Sequence, residues 1–136
     1  MPNFDIKIYK DNSVYKGIMI EVEGKRVREG KGVMVYQNGR IYEGHWKRDK
    51  REGVGFEKYE NSNTYRGNFS KGKAHGTGRY RWANGDEFSG DWVMGQKDGF
   101  GLWSSKEGQS YEGDWKKGKA DGEGTYIWAN GDKYTG

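Results

Sequence analysis

The sequence has no cysteine, which excludes disulfides, thiolate metal ligands and thiol nucleophiles. His45 and His75 are its only histidines, so we expect neither a metal site nor a cofactor. No apolar run approaches the roughly 18 residues of a membrane helix, and the N terminus lacks the basic start and apolar stretch of a secretory signal. These absences predict a soluble, cytoplasmic protein.

Aliphatic side chains are scarce as well. Leu, Ile, Val and Phe together make up 19 of the 136 residues, a share below the roughly 20% that accompanies disorder in strongly charged chains. The net charge is only +4, however, and 10 Tyr, 6 Trp and 5 Phe replace the missing aliphatic mass. Because one ring can bury roughly 150–250 Å², we expect an ordered structure built on aromatic contacts.

The charge is unevenly distributed along the chain. Residues 1–81 contain 18 Lys and Arg against 10 Asp and Glu, whereas residues 82–136 contain 6 against 10. A basic half of this kind suits an anionic lipid surface or an acidic protein, but solvated charge on exposed strand faces produces the same asymmetry. Both interpretations stay open from the sequence.

Glycine and the aromatic residues together indicate an all-β class. The 24 glycines are so closely spaced that, after Gly17, the longest stretch without one is Phe56–Arg66. Since each interior glycine costs a helix about 1 kcal/mol, no helix of ordinary length fits there. Aromatic residues at every second position, as in Tyr42, Gly44 and Trp46, have the period of a strand.

A repeat of 23 residues organises the chain. The group Tyr-x-Gly-x-Trp, or a close variant, begins at Tyr42, Tyr65, Phe88, Tyr111 and Tyr134. A Gly-x-Gly follows each of the first four groups at a constant distance within the repeat. The turns Asn84-Gly85 and Asn130-Gly131 are strong hairpin signals. The sequence therefore predicts one β-hairpin per repeat, stacked into a single array over residues 1–136.

The turn between the two strands of a repeat contains a further glycine. We expect Gly72, Gly95 and Gly118 to supply positive φ in this turn, where Asp49 substitutes in one copy.

The ends of the array depart from this period. The array comprises a half repeat at 4–14, repeats that begin at 15, 42, 65, 88 and 111, and a partial repeat at 134–136. The first repeat has 27 residues, and its four extra residues are expected in a loop around Glu21 to Glu29. Because the last copy stops two residues before its expected Trp, either the natural chain continues past Gly136 or another segment covers its edge.

These repeats resemble the MORN family. The segment Tyr111-Glu112-Gly113-Asp114-Trp115, followed by Gly122-Glu123-Gly124 and Asn130-Gly131, carries the family pattern, with departures such as Phe69 for Trp and Phe88 for Tyr. The resemblance implies an elongated single-layer antiparallel sheet of stacked hairpins. It also implies a scaffold or tether, as in ciliary radial spokes, junctional membrane proteins, protist cytoskeletal proteins, and extensions of lipid kinases or a lysine methyltransferase.

The aromatic residues should lie on one face of this sheet, where most of them form the core. Tyr, Gly and Trp at alternate positions point to the same side of a strand. A single-layer sheet leaves that face uncovered, so a partner helix or strand could lie along it. The candidate partner groove comprises Tyr42, Trp46, Tyr65, Phe69, Tyr80, Trp82, Phe88, Trp92, Trp103, Tyr111 and Trp115.

A second candidate site lies on the opposite face. Repeat positions place Arg66, Arg79 and Arg81 there, together with Lys58 from the preceding copy. A cluster of arginine forks would suit phosphate or carboxylate groups, which makes these four residues a candidate anionic-partner patch. The alternative is that they form an ordinary solvated surface.

No constellation of catalytic residues accompanies these sites. The sequence offers neither a nucleophile beside an activating base nor a phosphate-binding loop that leads into a helix. We therefore expect a non-enzymatic protein-interaction scaffold, which the resemblance places in a ciliary, axonemal or other cytoskeletal assembly. The alternatives are a tether to anionic phospholipid membranes or the regulatory extension of a larger enzyme. We expect no nucleic-acid partner, while the oligomeric state stays open.

Overall fold

A computed structural model describes residues 3–136, which form one antiparallel sheet of twelve strands. The strands lie in the sheet in the order of the chain, and no helix occurs within this range. Their bounds are β1 Asn3–Ile8, β2 Val14–Val22, β3 Lys25–Val35, β4 Ile41–Lys47, β5 Lys50–Lys58, β6 Thr64–Ser70, β7 Lys73–Arg81, β8 Glu87–Val93, β9 Gln96–Ser104, β10 Ser110–Lys116, β11 Lys119–Ile127 and β12 Lys133–Thr135. The predicted single-layer array of hairpins is thus confirmed.

Two-residue turns close the hairpin within each repeat. Lys117 and Gly118 join β10 to β11 with φ angles of 51° and 85°, and the corresponding Arg48 and Asp49 have 47° and 70°. Two successive positive φ angles are typical of the type I′ turn, whose twist matches that of the flanking strands. The sequence prediction of positive φ at Gly72, Gly95 and Gly118, with Asp49 as the substitute in one copy, is confirmed.

The first hairpin corrects one expectation. Its four extra residues do not form a loop between Glu21 and Glu29, because β2 continues to Val22 and β3 begins at Lys25. The insertion instead adds two residues to each strand, so that Ile20 pairs with Val27 and Glu21 with Arg26. Only Glu23 and Gly24 remain as the turn. Extended pairing satisfies the backbone groups that a longer loop would leave to water.

A tyrosine ring lies across two glycines in each repeat. Tyr65 covers Gly67 and Gly78, which face each other on β6 and β7, and its hydroxyl donates to the Asn68 carbonyl at 2.9 Å. A methyl group at Gly78 would overlap the Tyr65 ring. Burial raises the pKa of Tyr65 to about 12, so the hydroxyl remains a donor at neutral pH. The ring and its hydrogen bond recur at Tyr15, Tyr42 and Tyr111, whereas Phe88 covers its two glycines with a ring that has no hydroxyl.

The tryptophans connect consecutive repeats. A β-bulge between Gly90 and Trp92 interrupts the β8–β9 register, and the Trp92 indole nitrogen donates to the Gly78 carbonyl of the preceding repeat at 3.1 Å. The Trp92 ring also packs edge-on against Tyr65 and Phe88, with centroid distances of 5.3 and 5.4 Å. Trp46, Trp92 and Trp115 therefore each contribute both a hydrogen bond and an aromatic contact across a repeat boundary.

The core is concentrated in the first two thirds of the sheet. Its buried members come from strands β2 to β8, whereas Trp115 on β10 is half-buried and Tyr134 on β12 is 63% exposed. The buried apolar residues are Tyr15, Met19, Met34, Tyr42, Trp46, Tyr65, Phe69, Phe88 and Trp92. Since each repeat packs only on its neighbours, residues of β2 to β8 that have packed repeats on both sides form this core.

Replacing a central tryptophan tests this distribution. We expect Trp92→Ala to lower the free energy of unfolding by about 3–5 kcal/mol, because it removes a buried ring and its hydrogen bond. Trp128→Ala is the control, since Trp128 is 43% exposed and should cost about 1 kcal/mol. Urea unfolding followed by far-UV circular dichroism measures both, and equal losses would contradict the assignment of Trp92 to the core.

The tyrosine–glycine contact is tested by a single methyl group. Gly78→Ala should destabilise the protein by about 2–3 kcal/mol, because the new side chain overlaps the Tyr65 ring. The control, Gly118→Asp, places at one turn the residue that the chain carries at the equivalent Asp49, and should cost about 1 kcal/mol, because Asp tolerates a positive φ better than most residues. Thermal unfolding compares the two variants. A Gly78→Ala protein as stable as the control would show that the ring does not need a bare backbone.

Candidate functional site

The aromatic face holds all eleven residues of the candidate partner groove, but they differ in accessibility. Six are buried among their neighbours: Tyr42, Trp46, Tyr65, Phe69, Phe88 and Trp92. Five are half-buried: Tyr80, Trp82, Trp103, Tyr111 and Trp115. The rings cover one another so closely that surface for a partner remains mainly on the second group.

The candidate anionic-partner patch lies on the opposite face, and part of its charge is already paired. Arg79 and Arg81 both bind the Glu87 carboxylate, at 2.7 and 3.0 Å. Desolvation acts to raise the pKa of Glu87, but the hydrogen bonds from the two arginines outweigh it and hold that pKa below its usual value. Arg66 lies 4.5 Å from the Phe56 ring centroid, and Lys58 is exposed. Of the four candidate residues, Arg79 and Arg81 thus share one carboxylate partner, whereas Arg66 and Lys58 are separate cations.

A buried carboxylate on the aromatic face is a feature that the sequence analysis missed. Glu57 is 2% exposed and lies between Tyr42 and Tyr65, in a cross-strand row that has Tyr80 and Trp103 in later repeats. An acidic residue at a position that the other repeats fill with an apolar or aromatic residue (Met34, Tyr80, Trp103 and Tyr126) was the signal that could have revealed it. A buried carboxylate requires compensating charge and hydrogen bonds.

Two arginines supply that compensation. Arg40 and Arg51 both donate to Oε2 of Glu57, the second at 2.7 Å. Arg51 also donates to the Gly72 carbonyl at 2.6 Å, and its guanidinium lies 5.6 Å from the Phe69 ring centroid. The cluster joins three repeats, because Arg40 precedes β4, Arg51 and Glu57 are on β5, and Gly72 follows β6. These contacts are all internal, so we assign the cluster a structural role.

An open groove crosses the strands on the face opposite the rings. Its floor is the backbone of the paired glycines, because the tyrosine rings cover the other side of those residues. Its walls are the side chains that flank each glycine in sequence, such as Val54 and Phe56 around Gly55. The groove has a volume of about 660 Å³. We call it the outer groove; its side-chain walls are Phe4, Lys16, Ile18, Lys31, Val33, Glu43, His45, Val54, Phe56 and Arg66.

The outer groove combines an apolar lining with basic charge. Ile18, Val33 and Phe56 are half-buried along it, and Val54 is 59% exposed. Its formally charged walls are three cations, Lys16, Lys31 and Arg66, and one anion, Glu43. Strands are spaced roughly 4.8 Å apart, so a groove that runs from β1 to β6 spans about 24 Å. This length accommodates an extended or helical peptide segment.

Across residues 3–136, no three His, Asp or Glu side chains come together in a way that could hold a metal ion. In the same range, no helix is long and apolar enough to cross a membrane.

The charged cluster generates a stability prediction. Glu57→Gln should lower the free energy of unfolding by about 2 kcal/mol, because Arg40 and Arg51 lose a buried anionic acceptor. Glu60→Gln is the control, since Glu60 is exposed in the turn after β5. Urea unfolding at neutral pH compares the two variants. If both substitutions had the same effect, the ion pairs of Glu57 would contribute nothing to stability.

Comparisons with known proteins bear on the whole array. One solved structure with a similar fold is the TCP domain of SAS-4 from Drosophila melanogaster, which was determined in complex with a proline-rich motif of Ana2. It is 20% identical over 97% of this chain and 82% of that chain, with a TM-score of 0.48. No match was found among curated proteins.

The repeats themselves match a known family model. The MORN repeat model fits residues 27–39, 42–64, 65–87, 88–110 and 111–133. The last four segments each contain one hairpin with its glycine pair and its Tyr or Phe ring, whereas residues 27–39 cover part of β3 and the turn that follows it. The chain therefore belongs to the MORN repeat family.

Proposed function

We propose that this protein is a non-enzymatic scaffold that holds a protein partner in the outer groove. MORN repeats are non-enzymatic modules that commonly mediate interactions with proteins or membranes. The observation that carries the proposal is the apolar and basic lining of a groove that spans about six strands. The partner that fits this chemistry is an acidic segment with apolar side chains on one side.

The apolar walls, the basic side chains and the glycine floor of the groove would contribute to peptide binding in different ways. Val33, Val54 and Phe56 offer apolar surface, whose burial provides most of the affinity of a peptide interface. Lys16, Lys31 and Arg66 would attract and orient an acidic segment, and Arg66 is already held over the Phe56 ring. The bare glycine floor lets the partner backbone approach the sheet closely.

The outer groove is a more accessible surface than the aromatic face. Six of the eleven rings proposed there have at most 8% of their surface exposed, so a partner would reach only the half-buried ones. The arginine patch is also less suited to a lipid surface, because Glu87 neutralises part of the charge of Arg79 and Arg81. These two observations favour a protein in the outer groove over the other candidates.

Location in the cytoplasm, within a ciliary or other cytoskeletal assembly, is part of the same proposal. Its support is the membership of the MORN repeat family. A long sheet with separate faces and edges could bind more than one component of such an assembly.

Selection of peptides tests the proposal directly. A library of random 16-residue peptides displayed on phage is selected against the wild-type chain, and we expect enrichment of acidic peptides that also carry apolar residues. Fluorescence polarisation then measures their affinity. Val54→Glu/Phe56→Glu should weaken binding at least about tenfold, because it places two anions in the groove. Peptides without excess acidic residues would contradict the proposed chemistry.

The chain offers a matched control for this pair. Phe100 and Leu102 occupy the equivalent positions two repeats later on the same face, where they are 53% and 41% exposed. Phe100→Glu/Leu102→Glu should leave peptide binding unchanged. Binding to phosphatidylserine liposomes at about 0.15 M salt that is lost in Arg66→Glu/Arg79→Glu/Arg81→Glu would instead support a membrane tether.

A further inference from the structure

The first strand presents an unusual edge. β1 pairs with β2 on one side only, and it forms one end of the twelve-stranded sheet described for residues 3–136. Its outer-face side chains are Phe4, Ile6 and Ile8, which are 68%, 56% and 69% exposed. Proteins normally protect such edges with charge, proline or bulges, because an apolar strand with unpaired backbone groups is a template for another strand.

The hydrogen-bond pattern shows which backbone groups point outward. Hydrogen-bonded and non-hydrogen-bonded pairs alternate along an antiparallel ladder. The Tyr9 amide donates to the Ser13 carbonyl at 2.9 Å, so the pairs Lys7–Tyr15 and Asp5–Gly17 continue the hydrogen-bonded series. The amide and carbonyl groups of Phe4, Ile6 and Ile8 therefore point away from β2. In agreement, the Ile6 amide donates to the Asp5 side chain at 2.8 Å rather than to the ladder.

The sequence of β1 is complementary to itself in the antiparallel direction. When two copies of Phe4-Asp5-Ile6-Lys7-Ile8 are aligned about Ile6, Asp5 faces Lys7 of the second copy, and Phe4 faces Ile8. Ile6 faces Ile6, and the residues with outward backbone groups are opposite one another, as a hydrogen-bonded register requires. We propose that β1 pairs antiparallel with β1 of a second copy, which joins two arrays into one continuous sheet around a two-fold axis.

The side chains of this interface separate onto the two faces. Phe4, Ile6 and Ile8 of both copies form an apolar cluster on the outer face, where Phe4 already borders the outer groove. On the aromatic face, Asp5 and Lys7 form two symmetric ion pairs across the copies. Asp5 has an oxygen available for this contact. In the single chain, Oδ1 of Asp5 accepts the Ile6 amide; in the dimer, that amide donates to the second copy and Oδ1 becomes free to bind Lys7. Oδ2 of Asp5 continues to bind Arg26 at 2.9 Å.

The opposite edge does not have this complementarity. β12 pairs with β11 through Lys133, Tyr134 and Thr135, and Gly136 exchanges two backbone hydrogen bonds with Gly124. Alignment of β12 with a second copy about Tyr134 opposes Lys133 to Thr135, which gives no charge pair. Pairing of β1 about this two-fold axis is isologous, and it predicts dimers.

Charge reversal with mixing tests the proposed register. Sedimentation velocity over a concentration series should show the wild-type chain shifting from 15.6 kDa to twice that mass. In the proposed register, residue 5 of one copy faces residue 7 of the other. Asp5→Lys therefore places lysines opposite each other, and Lys7→Asp places aspartates opposite each other. Each variant should raise the dimer dissociation constant about tenfold or more. An equimolar mixture of the two variants restores both ion pairs and should form a heterodimer with near wild-type affinity.

Controls distinguish this register from other assemblies. Lys10→Asp makes the same charge change outside the paired segment and should leave the dimer intact, and so should Val54→Glu/Phe56→Glu in the outer groove. Far-UV circular dichroism verifies that every variant is folded. A wild-type chain that stays monomeric at millimolar concentration, larger head-to-tail assemblies of β1 with β12, or a mixture that fails to dimerise would overturn the proposal.

Discussion

An aromatic ring lying on two bare glycine backbones is the contact on which this structure depends. A single-layer sheet cannot bury its side chains against a second layer, so it has to find a core within its own thickness. The glycine pairs remove the side chains that would hold the tyrosine rings away from the sheet, and the rings then lie low enough for the neighbouring tryptophans to cover them. In this way Tyr42, Tyr65 and Phe88 reach 0–1% exposure with only one layer of strands.

The same contact explains why one face of the sheet forms the core and the other forms an open groove. Each glycine pair is covered by a ring on the aromatic face and has no side chain on the opposite face. The bare backbone there is the floor of the outer groove, and the residues that flank each glycine in sequence form its walls. The outer groove is therefore a consequence of the core rather than a separate construction. Its chemistry varies along the sheet because the wall positions are not needed for packing: Val54 and Phe56 in one repeat correspond to Thr77 and Arg79 in the next.

This division also accounts for what the sequence predicted. The period of 23 residues, the hairpins, the positive φ turns and the ring-bearing face all follow from residues that recur in every repeat. The pattern marks Glu57 as an acidic residue at an otherwise apolar repeat position, but it does not show that Arg51 of the same strand and Arg40 of the preceding repeat surround it and allow its burial. It also missed the outer groove, because that surface is made of positions that differ between repeats. The first hairpin was assigned a loop because a repeat comparison detects four extra residues without showing how they pair.

The longer first hairpin also shows how such an array can change in length. A two-residue turn of this type closes a hydrogen-bonded pair, and such pairs occur at every second position of an antiparallel ladder. A hairpin arm can therefore grow by two residues per strand, which keeps the inward and outward side chains on their faces, whereas growth by one would exchange them. The Glu23–Gly24 turn lies two pairs beyond the position of the later turns, in accordance with this rule. Repeat arrays of this kind should accept hairpin insertions in steps of four residues, so that individual arms can project from the sheet while the packed row of rings stays in phase.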